Sequence, residues 1–274
     1  MTAEQEYAAM VAAAVAQSAR LRAPMASTDR WDRAASRFRL DPHRELDSNL
    51  QAICSLIEPS DVVIDIGGGA GRVSLPLALT CREVINVEPS PAMAKQFLAS
   101  AAEAHIENAR VVPATWPDAP GVSGDVALVC NVTYFVGEIV PFLDRLVAAS
   151  RRRVIISVWS VPPPIRDAAI FEVASGEPEL PCPGHRELCN VLWEMGILPD
   201  VQVLPGPFPL RAAPVATPAA AIEAWLDEAR LSDRDAARER LVAGFDRVFV
   251  NSGEGYRPAQ RRDSREMLIT WPTA

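Results

Sequence analysis

An acid and four glycines are gathered into the eight residues Asp65-Ile66-Gly67-Gly68-Gly69-Ala70-Gly71-Arg72. Glycine has no Cβ, so a loop built from it turns tightly and lets backbone amides approach a ligand that any side chain would push away. Asp65, two residues before Gly67, adds a negative charge that repels phosphate and attracts a cation. Together these residue types suit a nucleoside-bearing cofactor that carries positive charge. The apolar run Val62-Val63-Ile64 precedes the loop and Val73 to Leu79 reads as a helix after it, so a strand and a helix must hold it.

Spacing decides among cofactors. Dinucleotide binders read G-x-G-x-x-G and aim helix amides at a pyrophosphate. Here Gly67, Gly69 and Gly71 alternate, and Arg72 stands where the third glycine of that pattern would fall. This disfavours a nicotinamide-dependent oxidoreductase. The pattern D-x-G-x-G-x-G resembles the first motif of class I S-adenosylmethionine-dependent methyltransferases. That resemblance implies S-adenosyl-L-methionine as cofactor, with Asp65, Gly67, Gly68, Gly69 and Gly71 around it. It also implies an α/β, Rossmann-like, seven-stranded mostly parallel sheet with helices on both faces.

Cys81 to Glu88 reads as a second strand ending in an acid, and Glu88 follows Gly69 by nineteen residues. A Rossmann acid reaches ribose hydroxyls from about 20 residues past its glycines, and two carboxylate oxygens can accept from both hydroxyls. Pro89-Ser90-Pro91 then turns the chain into another helix, with Ser90 as cap and Pro91 at its first position. The resemblance places Glu88 on the ribose and Pro89 beside it.

Two further stretches follow in the order the resemblance requires. Asn108 to Asp118 reads as a third strand and its exit loop, where Thr115 and Trp116 would meet the adenine. Family members often carry an acid at 114 or 115, and this chain does not. Asp125 to Phe135 reads as a fourth strand whose end brings Asn131, Thr133 and Tyr134 to the transfer site. The amino-directed nucleic-acid enzymes of the family carry Asn or Asp followed by Pro-Pro and an aromatic, and Cys130-Asn131-Val132-Thr133-Tyr134 departs from that. Asn131, Tyr134 and His43 are the candidate catalytic groups. Trp31 and Phe38 either face the sulfonium, since aromatic faces attract cations, or pack a core.

Strands and helices alternate from Val62 to Trp159, which implies a parallel sheet. Residues 46–56 read as a helix leading into it. Residues 1–45 read as an N-terminal helical cap. In it Tyr7, Met10, Val11, Ala14, Val15 and Leu21 share one face, for the body or for a partner, and Trp31, Ala34, Ala35 and Phe38 share another. Residues 46–274 are expected to form the methyltransferase domain. Within it, residues 161–184 and 211–265 are expected as cover or lid insertions, with helices at Thr217 and near Ser232, the second carrying Ala236, Leu241, Phe245 and Phe249. Helix 185–195, strand 201–204 and strand 267–271 would close the sheet.

Composition narrows the function class. At 274 residues with 49% hydrophobic residues the chain buries a full core. A net charge of −8 argues against a general nucleic-acid binder, and Arg151-Arg152-Arg153 is expected at a helix end or in solvent. Five cysteines without metal spacing, and His43, His105 and His185 far apart, predict no metal site and a reduced, cytoplasmic setting. The N-terminal apolar run is too short to span a bilayer. The expectation is a methyltransferase acting on a small molecule in an enclosed pocket, without nucleic acid or membrane partners. A homo-oligomer or partner protein through the N-terminal helix stays open, as does a non-catalytic methyltransferase-like subunit.

Overall fold

Val62-Val63-Ile64-Asp65-Ile66 is buried along its whole length because it lies at the centre of a sheet. In a computed structural model that describes residues 1–24, 27–29, 31–32, 34–206, 214–259 and 264–273, this strand, β1 (Val62–Ile66), pairs in parallel with β2 (Glu83–Val87) and β4 (Gly124–Cys130). Beyond them lie β3 (Ala109–Val112), β5 (Ser150–Trp159), β6 (Asp200–Val203) and β9 (Glu266–Pro272), in the order β3-β2-β1-β4-β5-β9-β6. Among the described strands of this sheet β9 runs opposite to the other six, antiparallel to both β5 and β6. The sheet has the seven strands and mostly parallel sense expected.

Side chains alternate across a strand, so the sheet feeds two cores. Ile64, Ile66, Val87, Val129 and Ile156 pack on one face with residues of α1 (Ala3–Leu21), α5 (Ile139–Ala149) and α7 (His185–Glu194). Val63, Val84, Leu128, Ile155 and Leu268 pack on the other with α2 (Ser48–Cys54), α3 (Ser74–Ala78) and α4 (Pro91–Glu103). Of the apolar stripe of α1, Tyr7 and Val11 are buried on the body together with Ala3, whereas Val15 is exposed. Arg151-Arg152-Arg153 opens β5 rather than ending a helix. Arg151 pairs with Asp125 and Arg152 with Asp61, two carboxylates at the starts of neighbouring strands.

A third apolar cluster lies outside the sheet. It joins α6 (Ala168–Ser175), α8 (Pro218–Ala229), α9 (Arg234–Ala243) and α10 (Phe245–Val248) through Ile170, Phe171, Ile222, Trp225, Leu226 and Leu241. Thr217 caps α8 as expected, its hydroxyl accepting the Ala220 amide at 3.2 Å. The second helix is shorter than its apolar periodicity suggested. Gly244 stops it at Ala243, and Phe249 begins β7 (Phe249–Asn251), which pairs with β8 (Tyr256–Pro258). Residues 211–213 and 260–263 of the expected cover lie outside the described residues.

Residues 31–32 and 34–38 also depart from the expected helix. Only Ala35–Phe38 forms a 3₁₀ turn, and the Asp29 carboxylate, accepting the Trp31 amide at 2.9 Å, holds the segment in a turn before it. Among the described residues no helix is long and apolar enough to cross a membrane.

Candidate functional site

The glycine loop is tied to β2 at three points. Gly67 donates its amide to the Val87 carbonyl at 2.8 Å, Gly69 donates its amide to Glu88 Oε2 at 2.9 Å, and Asn86 Nδ2 donates to the Gly69 carbonyl at 3.0 Å. Gly67, Gly69 and Gly71 have φ of +68°, +58° and +81°, a region that L side chains avoid. Gly68 is required for a different reason. A Cβ there would run into the Asp65 carboxylate and come within 2.7 Å of Asn86 Oδ1. At Gly71 a Cβ would meet Leu75 and Phe97, so this glycine serves helix packing beneath the loop.

Asp65 lies under that loop, 1% exposed, with both carboxylate oxygens lacking a hydrogen-bond partner. Burial pushes its carboxyl up to about 7. The buried side chain of Asn86 lies beside it, also with an unpartnered Oδ1. Sequence reading passed over Asn86, whose only signal is a polar residue inside the apolar strand Val84-Ile85-Asn86-Val87.

Glu88 ends β2 in a buried position, its Oε1 accepting the Ser90 amide at 2.8 Å while Oε2 holds Gly69. Burial raises its carboxyl above the ordinary range, although both amide bonds oppose that. Each oxygen keeps a further lone pair for another donor. Pro89 is exposed at the turn that follows.

At the end of β3, Trp116 is engaged with α5. Its indole Nε1 donates to the Phe142 carbonyl at 3.2 Å, and the Arg145 guanidinium lies 5.3 Å from its ring centroid. Thr115 is exposed and its hydroxyl donates to Asp118 Oδ2 at 3.2 Å. The loop thus brings an acid to Thr115 from three residues on, which the search for an acid at 114 or 115 missed.

At the end of β4, Asn131 takes φ +63° and donates its amide to the Ser157 carbonyl at 2.9 Å. The Tyr134 hydroxyl accepts the Trp159 amide at 2.6 Å and lies 3.0 Å from Asn131 Oδ1. Because its lone pair serves Trp159, its proton goes to Asn131, and this orients the Asn131 amide. Tyr134 is 2% exposed, and burial holds its phenol far above the ordinary range. Thr133, in the same turn, is roofed by α1, whose buried Tyr7 donates its hydroxyl to the Thr133 carbonyl at 2.7 Å.

His43 is placed elsewhere. It is exposed and its Nε2 lies 3.2 Å from the Ala104 carbonyl, at the C-terminal end of α4, whereas Ser90 and Glu88 lie at the opposite end of that helix. A 13-residue helix is about 20 Å long, so His43 lies at the far end of α4 from Glu88 and Ser90. Trp31 and Phe38 meet edge to face at 5.4 Å and pack on Ala35, Ala70 and Met93, over the loop and the start of α4. Among the described residues no cluster of His, Cys, Asp or Glu could hold a metal ion.

Residues 64–155, which hold all of these strand ends, match the family model described as a methyltransferase domain. That stretch carries a methyltransferase domain of the S-adenosylmethionine-dependent kind. Its fold is similar to the YcgJ protein of Bacillus subtilis, with a TM-score of 0.54 at 15% identity over 81% of this chain and 97% of that one. It is also similar to magnesium protoporphyrin IX methyltransferase of Synechocystis PCC 6803, crystallised with S-adenosylhomocysteine, with a TM-score of 0.53 at 13% identity over 88% and 96%. No curated protein matches the chain in sequence.

For a methyltransferase of this class the residues present fit the cofactor. The cradle at Gly68 is one that a Cβ would fill, and the strand-end Glu88 has acceptor capacity left for a diol. The buried Asp65 supplies unpartnered oxygens beneath the loop.

Proposed function

We propose that this methyltransferase passes a methyl group to a small-molecule acceptor in an enclosed pocket at the carboxyl ends of β1, β2 and β4. The reading rests on one observation: Glu88 and Gly69 are hydrogen-bonded to each other, so the carboxylate that would hold a ribose and the loop that would pass beneath it form one rigid cradle. In this reading Gly67, Gly68, Gly69, Gly71, Glu88 and Pro89 hold the adenosyl part, with Asp65 and Asn86 supporting the loop from below. Thr115, with Asp118, faces the adenine. Trp116 supports that loop from α5, since its indole nitrogen and one ring face are already engaged.

The cofactor supplies an electrophilic sulfonium methyl and a good leaving group. The chain's part is to place the acceptor and exclude water, and well-oriented reactants gain roughly 7–11 kcal/mol from placement alone. Asn131 is positioned for this. With its Oδ1 turned to Tyr134, its two Nδ2 hydrogens are the end that meets an acceptor. Tyr134 acts as the clamp for Asn131, since a phenol whose hydroxyl is spent on Asn131 and Trp159 is a poor base.

The enclosure is assigned to three stretches: the cap of residues 1–45, and the covers of residues 161–184 and 211–265 within the domain of residues 46–274. Support comes from Tyr7 roofing Thr133 and from the separate core shared by α6, α8, α9 and α10. Roofs of this kind exclude water and select substrate.

The test has two arms. Thermal unfolding should rise with S-adenosylmethionine or S-adenosylhomocysteine and stay level with NAD. A screen of small acceptors with radiolabelled cofactor should then yield a methylated product. Stabilisation by NAD alone would overturn the cofactor assignment, and transfer to nucleic acid in preference to small molecules would overturn the acceptor class.

A further inference from the structure

Asp29 lies far from the glycine loop in sequence, in a segment with no motif, yet its carboxylate is the hub of the contacts beside Glu88. Both of its oxygens are 2.9 Å from the Ser90 hydroxyl, which donates to them. Oδ2 also accepts the Ala92 amide at 3.0 Å, and Oδ1 accepts the Trp31 amide at 2.9 Å. Ser90 in turn donates its own amide to Glu88 Oε1. Asp29, Ser90 and Glu88 are therefore consecutive links in one hydrogen-bonded chain that ends on the amide of Gly69.

The same segment is fastened at both ends. Upstream, Arg22 bridges to Leu231, Ala23 donates its amide to the Arg230 carbonyl at 2.8 Å, and Ser232 donates its amide to the Leu21 carbonyl at 2.9 Å. These residues join α8 to α9, so the strap begins on the cover. Downstream, Trp31 and Phe38 cover Ala70 and Met93, and Arg44 donates to the Arg72 carbonyl at 2.7 Å. One stretch of chain thus runs from the acceptor cover to the cofactor loop.

We propose that Asp29 is a positioning residue for the cofactor: it latches this strap to the start of α4, closes the adenosyl side of the pocket, and couples cofactor release to the cover. The inference builds on the cofactor reading above. Capping accounts for one of these contacts: Ser90 accepts the Met93 amide, Pro91 has no amide to satisfy, and Asp29 Oδ2 takes the remaining first-turn amide, that of Ala92. The contacts that capping does not explain, Oδ1 with the Trp31 amide and both oxygens with the Ser90 hydroxyl, hold the strap to that helix start.

The closing experiment measures S-adenosylhomocysteine dissociation by stopped flow and calorimetry in the wild-type protein and in Asp29→Asn. The variant should release the ligand about tenfold faster, the size expected when a charge-assisted contact is weakened. Its KM for cofactor should rise while kcat at saturation holds. Hydrogen exchange on the wild-type protein, which needs no variant to fold, should show the Trp31 and Ala92 amides slowing when S-adenosylhomocysteine binds. If the wild-type protein fails to bind S-adenosylhomocysteine, the cofactor reading and the latch fall together. If it binds, and both the release rate in Asp29→Asn and the Trp31 exchange are unchanged, the latch alone is overturned.

Discussion

Glu88 Oε2 accepts the amide of Gly69 at 2.9 Å, so two motifs nineteen residues apart are one hydrogen-bonded object before any ligand arrives. The carboxylate fixes the loop and the loop fixes the carboxylate. This reciprocal hold makes the strand end a preorganised binding edge.

Replacing Glu88 tests it. Glu88→Ala leaves the Gly69 and Ser90 amides without their acceptor, a cost of roughly 1–3 kcal/mol where such groups are buried. Binding of S-adenosylhomocysteine should weaken by about tenfold or more. Unchanged affinity by calorimetry would remove Glu88 from the site.

Gly68→Ala and Gly121→Ala separate crowding from backbone conformation. At Gly68 a Cβ meets Asp65 and Asn86, neither free to withdraw, and overpacking of this kind costs about 1–3 kcal/mol. At Gly121, φ is +65° but nothing lies within 4 Å, so the cost is the left-handed backbone alone, about 1–2 kcal/mol. Both variants should lose stability in urea, and only Gly68→Ala should also lose cofactor binding. A Gly68→Ala protein that binds normally would show that the loop is not a tight cradle.

The buried Asp65 makes a pH prediction. Its folded value, about 7, lies above that of the unfolded chain because burial disfavours the charge. Between the ordinary carboxylate range and about pH 7 the folded chain holds a proton that the unfolded chain has released. Stability therefore falls as pH rises through that window and levels off above it. Asp65→Asn should flatten this part of the profile of Tm against pH. Identical slopes in variant and wild type would show that Asp65 does not titrate there.

Tyr134→Phe should strand the buried Trp159 amide and release Asn131. A stability loss of roughly 1–3 kcal/mol follows from the unpaired amide. If Asn131 meets the acceptor, kcat should fall with little change in cofactor affinity. A variant that loses cofactor binding instead would place this clamp on the other side of the pocket.

The legible parts of the site were those written into local spacing. Asp65, the alternating glycines and Glu88 sit on consecutive strand ends, and a strand-loop-helix unit places its own residues by covalent geometry. The sheet was legible for the same reason, including the final antiparallel strand, because apolar runs in alternation with helices have few ways to pack. Residues whose role depends on a distant partner were missed or misplaced. Asn86 lies inside an apolar strand run, Asp118 lies in a loop, and His43 meets the Ala104 carbonyl at the far end of α4 from Glu88, and local spacing marks none of these contacts. The apolar spacing that joins Leu241 to Phe249 crosses a break at Gly244, after which Phe245–Val248 forms a separate short helix.

By itself, the amino-acid order determined which strand ends carry the acid, the glycines and the second carboxylate, since side-chain alternation and residue spacing leave little freedom there. Tertiary structure alone decided what closes over them. Asp29 meets Ser90, Tyr7 meets Thr133 and Arg22 meets Leu231 across separations of 61, 126 and 209 residues. No local propensity encodes such pairs. They exist because α1 buries Tyr7 and Val11 on the sheet body, the cover helices bury their apolar faces on one another, and the Arg22–Leu231 bridge joins the two.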